Sequence, residues 1–153
     1  MQCEHCQEQH DFEASHSMIA VLQKVDQAGY TFFQCEEAQE YNGVRWQHYH
    51  CSHDHMVENF ASCIIDHYSE EKLHPIPPGG GTTNIHRIVL KAGLSCKVCS
   101  QPLEQVAYRF CLTRCTPVNA VPDGSLDPLA NWTCSLEHAQ AAAHIIIANL
   151  EEL

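Results

Sequence analysis

Positive charge is what this chain has least of. Its 153 residues carry eight lysines and arginines against nineteen aspartates and glutamates, a formal charge of -11. A chain so acidic binds phosphate poorly unless its few cations cluster. Long apolar runs are also missing. The longest, around Ala141 to Leu150, falls far short of the roughly 20 residues that cross a bilayer, so no membrane span is expected. The opening residues MQCEHCQEQH show neither the basic nor the apolar region of a secretory signal, which points to a reducing cytoplasm. There is no Ser/His/Asp pattern and no dinucleotide fingerprint, and the triple glycine at 79–81 lacks the following helix that a phosphate-cradling loop requires.

What is abundant is cysteine and histidine, ten and twelve residues respectively. A chain of this length makes one domain or two small ones near the size at which a hydrophobic core alone rarely suffices, so a covalent or metal staple is expected. In a reducing compartment, Cys-x2-Cys steps with downstream Cys/His partners favour zinc over disulfides; a mature secreted form would reverse that preference.

Residues 75–84, PIPPGGGTTN, combine proline with glycine and read as a linker, dividing the chain into modules at 1–74 and 85–153. The halves share an order. CEHC at 3–6 matches CKVC at 96–99, and CSHDH at 51–55 matches CSLEH at 134–138. YTFFQC ending at Cys35 is aligned with YRFC ending at Cys111, and Trp46 with Trp132, so an internal repeat is the economical explanation. The intervals differ, with 44 residues between Cys6 and Cys51 and 34 between Cys99 and Cys134. Met18, Val21, Leu22 and Val25 stand at helical spacing before Gly29, which predicts an inserted helix over 14–28 as the source of the extra length. Strands are expected over Tyr30–Glu36, Val44–Tyr49 and Val106–Thr113, with a hairpin turn at Asn42-Gly43. Helices capped by Ser52 and Ser135 should follow, burying Val57, Phe60, Ile64 and Tyr68 in one half and Ala142, Ile145, Ile146 and Leu150 in the other.

Two cysteines two residues apart turn both sulfurs to one side of a tight knuckle, half of a tetrahedral site. A cysteine and a histidine four apart, with a helix starting between them, supply the other half. The helix N-terminus favours negative charge and so favours thiolate. The expected ligand sets are Cys3, Cys6, Cys51 and His55 for one Zn2+, and Cys96, Cys99, Cys134 and His138 for a second. Knuckle, hairpin and a helix whose first turn carries the last two ligands resembles the treble-clef zinc finger. The resemblance implies an α+β fold of two small zinc-stabilised modules in tandem, without fixing a function. Cys35 and Cys111 are alternative ligands or core residues, Cys111 and Cys115 are a candidate pair, and Cys63 is expected in the core. His50 and His53 compete with His55, which is preferred for its match to His138.

Four protein ligands leave no position for water or substrate, the mark of a structural zinc. The expected function is therefore a non-enzymatic protein-interaction or regulatory module with a basic protein as partner, in its sharper form an acidic mimic of nucleic acid. Exposed apolar faces on such small modules would allow a dimer. Nucleic-acid binding is the alternative, resting on Arg87, Lys91, Lys97, Arg109 and Arg114 beside Trp132. The stretch from His74 through Gly79–Gly81 to Asn84, followed by CKVC, is similar to the HNH nuclease arrangement; an acid before the histidine and a histidine soon after Cys99 are missing.

Overall fold

The computed structural model describes residues 1–26, 31–37, 39–41, 44–46, 48–77, 93–122, 127 and 129–153. In the first half a 3-10 turn, Phe12–Ala14, leads into β1 (Ser17–Asp26), β2 (Thr31–Glu36), β3 (Gln39–Tyr41) and β4 (Val44–Trp46). Helix α1 (His53–Asn59) runs on through a π-helical turn, Phe60–Ile64, and a 3-10 turn, Ile65–His67, before β5 (His74–Ile76). The second half contributes β6 (Val106–Cys115), β7 (Ala120–Pro122) and α2 (Leu136–Ala148). The result is a mixed α+β fold: one five-stranded antiparallel sheet in the order β5-β2-β1-β6-β7, and a separate β3-β4 ribbon.

The central pair joins the two halves. β1 and β6 are antiparallel over their whole length, from Ser17 opposite Cys115 to Asp26 opposite Val106. They are also equivalent strands. His16 bridges to His50, the residue before Cys51, and Tyr108 bridges to Thr133, the residue before Cys134. The alignment that carries His16 onto Tyr108 carries Ala20 onto Leu112, and Ala20 lies directly opposite Leu112. A pseudo-two-fold axis therefore passes between these two residues, with β2 and β7 as the matching outer strands.

This corrects the expected helix over 14–28, whose described part, 14–26, ends a 3-10 turn and then forms β1. Met18, Ala20 and Leu22 face the main core while Val25 joins a second cluster, so both faces of the strand are covered. A strand buried on both faces loses its alternation, and Met18 and Leu22 then satisfy a four-residue period as well as a two-residue one. The repeat alignment shifts accordingly. The counterpart of β6 is β1, so Cys35 and Cys111 are not equivalent. Much of the longer first interval lies in the hairpin: the loop from Val21 to its partner Glu36 is longer than the loop from Thr113 to its partner Pro122.

The other expected strands appear as β2, β4 and β6. Tyr30, Asn42 and Gly43 lie outside the described residues, although Tyr41 pairs with Val44 around the expected turn. Pro75 and Ile76, placed in the linker by composition, stand in β5; residues 78–84 are outside the described residues.

Both helical segments lie against one face of the sheet, where Met18, Ala20, Leu22, Phe110 and Leu112 meet Met56, Phe60, Ile65, Tyr68, Ala139, Ala143 and Ile147. Ile145, expected in the core, is 63% exposed. Three consecutive isoleucines leave the phase of the stripe ambiguous, and Ala139, Ala143 and Ile147 at four-residue spacing set it instead. Cys63 is likewise exposed rather than core, because the π-helical turn rotates it outward. Cys35 is buried in the main core. The halves are also tied by hydrogen bonds: Gln140 Nε2 donates to the carbonyls of Ile65 (3.3 Å) and Tyr68 (3.2 Å), and His53 Nε2 donates to that of Leu150 (3.3 Å).

Tyr68 combines a ring contact with Phe110 and a buried hydroxyl donating to the Ala20 carbonyl at 2.7 Å, beside the pseudo-two-fold axis. Tyr68→Phe keeps the ring and removes the hydroxyl's bond to that carbonyl. We expect a loss of about 1–2 kcal/mol of unfolding free energy in a urea titration. An unchanged midpoint would mean that the hydroxyl does not brace β1.

Candidate metal centres

Each cluster starts at a knuckle built by the same backbone bonds. In the first, Cys3 N donates to Glu8 O and Gln7 N to Cys3 O, both at 2.9 Å; in the second, Cys96 N donates to Gln101 O (2.7 Å) and Ser100 N to Cys96 O (2.9 Å). Gln7 and Ser100 follow the second cysteine of each knuckle and have φ of 67° and 65°. That left-handed step, uncommon outside glycine, folds the chain back so that both sulfurs face one point. The knuckle is then tied to the segment entering the helix, by Glu4 N to Tyr49 O (2.8 Å) and Lys97 N to Trp132 O (3.0 Å). Tyr49, not Trp46, is thus the counterpart of Trp132.

The helix supplies the remaining ligands. Ser52 and Ser135 cap α1 and α2, each side chain accepting from the backbone N–H of the histidine three residues on, His55 or His138, at 3.1 Å. Capping sets the first turn, and the first turn aims both His Nδ1 atoms at the cysteine sulfurs. The donor atoms of Cys3, Cys6, Cys51 and His55 all lie within 4.8 Å of one another, as do those of Cys96, Cys99, Cys134 and His138.

The separations fit a tetrahedron. Zn–S bonds of about 2.3 Å and Zn–N bonds of about 2.0 Å give S···S edges of about 3.8 Å and S···N edges of about 3.5 Å. Cys6 and Cys51 sulfurs are 3.7 Å apart, and those of Cys99 and Cys134 are 3.6 Å apart. Nδ1 of His55 is 3.9 Å from Cys3 and 3.1 Å from Cys51; Nδ1 of His138 is 3.6 Å from Cys96 and 3.1 Å from Cys134. A disulfide needs about 2.05 Å, and all ten cysteines are unpaired. Three sulfurs and one imidazole make a soft, borderline donor set suited to zinc, and the two clusters are compatible with two zinc ions.

The thiols within each cluster are differently poised. Burial raises Cys3 and Cys96, but backbone N–H groups of their own knuckle and of Cys51 or Cys134 outweigh it and bring each down to about 6. Burial, then hydrogen bonds and charge from neighbouring thiols, push Cys51 and Cys134 up to about 11. The knuckle thus presents an anion to a metal, and the helix cysteine would give up its proton where one is bound.

The competing residues are occupied elsewhere. His50 is fully buried, its Nδ1–H donating to His16 O (3.1 Å) and its Nε2 accepting from Asn59 (2.9 Å), and burial lowers its pKa to about 4. His53 is held by Leu150. Cys111 and Cys115 share a face of β6 four residues apart, about 13 Å along a strand, which rules out a pair. No other group of three metal-binding side chains gathers among the described residues. What sequence reasoning missed is the carbonyl of the residue two before the helix cysteine, which closes each site; main-chain acceptors leave no mark in residue type.

Comparison with family models, with curated proteins and with solved structures finds no match. The class is therefore defined by architecture and chemistry alone: an α+β protein with two Cys3His clusters. Among the described residues, no helix is long and apolar enough to cross a membrane.

Since protons compete with the metal for thiolates, zinc affinity must fall as pH falls. Above about pH 6 Cys3 and Cys96 are already ionised; below it each adds one more proton to the competition. We expect the plot of log affinity against pH to steepen by about one unit per site below that value. Chelator competition between pH 8 and 5 measures it, and a constant slope would contradict the poise of the two knuckle thiols.

Proposed function

We propose that this chain is a non-enzymatic protein built on two structural zinc sites, treble-clef-like in design, that presents an acidic surface to a basic protein partner. The observation that carries this reading is the closure of both clusters: four protein donors surround each centre, so no corner of the tetrahedron is left for water or substrate.

The disposition of the cations favours a protein partner over nucleic acid. Lys24 pairs with Glu70 at 3.3 Å and Lys72 with Glu37 at 3.1 Å. Arg109 is 2% exposed, stacked 4.5 Å from the Trp132 ring and donating to Gln23 Oε1 and to the carbonyls of Asp127 and Ala130. Arg114 donates to the Glu151 carbonyl. Of the five cations that suggested a groove beside Trp132, Arg87 and Lys91 lie outside the described residues, and only Lys97 of the other three stands exposed on the surface. Trp132 is itself buried and offers no stacking platform. Meanwhile Glu4, Glu8, Asp11, Glu13, Asp54, Glu58, Glu70, Glu71, Glu104 and Glu137 are exposed. Three thiolates around one Zn2+ add about one further negative charge per site.

The nuclease alternative rests on His74, an exposed residue of edge strand β5, and on Gly79–Gly81 and Asn84, which are outside the described residues. Nothing in the described site gives it support.

Elemental analysis of freshly purified protein tests the foundation, with two zincs per chain expected. Immobilised protein should then retain a basic protein partner from its host extract, with retention that survives nuclease and weakens between 50 and about 300 mM salt. Metal-free material, or thiols oxidised in pairs, would end the proposal. A bound nucleic acid lost on nuclease treatment would replace it with the alternative.

A further inference from the structure

The pseudo-two-fold lets the shells behind the two metal centres be compared position by position. His10 N donates to Met1 O at 2.8 Å, and Leu103 N donates to Leu94 O at 2.9 Å; the same alignment superposes Gln2↔Gln9 on Ser95↔Pro102. His10 therefore stands where the second half has Leu103. Ser15, next to the His16 bridge, stands where it has Ala107, and Tyr49 where it has Trp132.

These exchanges change what holds each knuckle down. Behind the second, Leu94, Leu103, Ala107 and Trp132 form one apolar cluster with Val25 and Phe32, and Cys96, Cys99 and Cys134 belong to it. The long β1-β2 hairpin reaches over to provide Val25 and Phe32. Among the described residues, the β6-β7 hairpin is shorter and its tip, Thr116 to Asn119, joins neither apolar cluster. Behind the first knuckle, His10 Nε2 lies 2.8 Å from Ser15 Oγ, which also donates to Met1 Sδ at 3.4 Å. Among the described residues, His10 Nδ1 is buried with no hydrogen-bond partner. Among the described residues, Cys3, Cys6 and Cys51 belong to neither apolar cluster. Other side-chain braces of this knuckle are ring contacts of His5 with His55 (5.1 Å) and of His48 with Phe60 (5.7 Å), and the pairs His5 with Glu58 (2.8 Å) and His48 with Glu4 (3.0 Å), whose well-exposed carboxylates contribute little.

Solvent exposure does not separate the two sites: Cys3 is 0% and Cys96 3% exposed. The difference lies in the cost of lifting the knuckle. Opening the second exposes apolar surface to water, whereas opening the first hydrates a polar pair and relieves an orphaned nitrogen. We propose that the two zinc sites are unequal by construction, the second holding its ion durably and the first holding one that exchanges more readily. The proposal rests on the reading of both clusters as zinc sites.

Limited chelation tests it on the intact two-zinc protein. EDTA is added to remove one equivalent of zinc, exposed thiols are capped with N-ethylmaleimide, and the capped peptides are identified by mass spectrometry. Cys3, Cys6 and Cys51 should be capped while Cys96, Cys99 and Cys134 remain protected. The double variant His10→Leu, Ser15→Ala gives the first knuckle the backing of the second, and should slow zinc release there by about ten-fold while leaving the second site unchanged. Capping of the second set first, capping of both sets in step, or an unchanged release rate in a folded double variant would overturn the inequality. A protein purified without two zincs would instead remove the metal reading beneath it.

Discussion

Each half depends on one constraint, the clamp between a knuckle and the first turn of a helix. The knuckle alone is a short turn with a left-handed residue, and α1 has only seven α-helical residues before it passes into a π-helical turn. Neither is stable by itself, since a helix so short does not recover its nucleation cost. Bringing them together places three sulfurs within van der Waals reach, which without a cation gathers either like charges or thiols that must stay protonated. The opposing pKa shifts within each cluster are the signature of that conflict. A divalent ion resolves it, and the same closure fixes the bridge entering the helix, His16 with His50 or Tyr108 with Thr133. Through that bridge, at the residue before β1 and at the third residue of β6, the clamp is tied into the central sheet.

The second level of organisation is the pairing of the halves about Ala20 and Leu112. Neither half has a core of its own. The face formed by Met18, Ala20 and Leu22 continues into Phe110 and Leu112, and one layer of helical segments covers both. The hydrophobic surface one small module cannot bury is buried against its copy, as in a dimer made within one chain. The hydrogen bonds from Gln140 to Ile65 and Tyr68, and from His53 to Leu150, then brace the helical segment of each half against the other.

The metal clusters were legible because their information is local and chemical. Cys-x2-Cys and Cys-Ser-x-acid-His each fit within five residues, and the cap at Ser52 or Ser135 is readable in the same window. The central sheet was not legible for a complementary reason. β1 is buried on both sides, so Met18 to Val25 carries no alternation to separate it from a helix. Its partner β6 lies far along the chain in the other half, and pairing at that distance leaves no spacing to read. The misplaced equivalence of Cys35 with Cys111 came from matching aromatic-rich strings, whereas the repeat is defined by main-chain bonds at His16 and Tyr108 that no side chain records. The unequal intervals between ligand pairs pointed correctly to extra length, but that length went mainly into a hairpin.

The two halves have diverged within this symmetric frame, and the scarcest residues show where. Arg109 occupies the position of Ser17 in the other copy, yet it is drawn under the sheet against Trp132, where it donates to the neutral oxygens of Gln23, Asp127 and Ala130. Burial opposes its charge, and an aromatic face with three oxygen acceptors compensates, helped by the charge of Asp127. Removing one of eight cations from the surface in this way makes the exterior more negative than composition alone suggests. Lys24 and Lys72 are each paired with an exposed carboxylate, Glu70 and Glu37, so neither stands as a free cation. The acidity of the surface thus follows partly from how the fold uses its few positive charges, and any partner that approaches meets the carboxylates that remain.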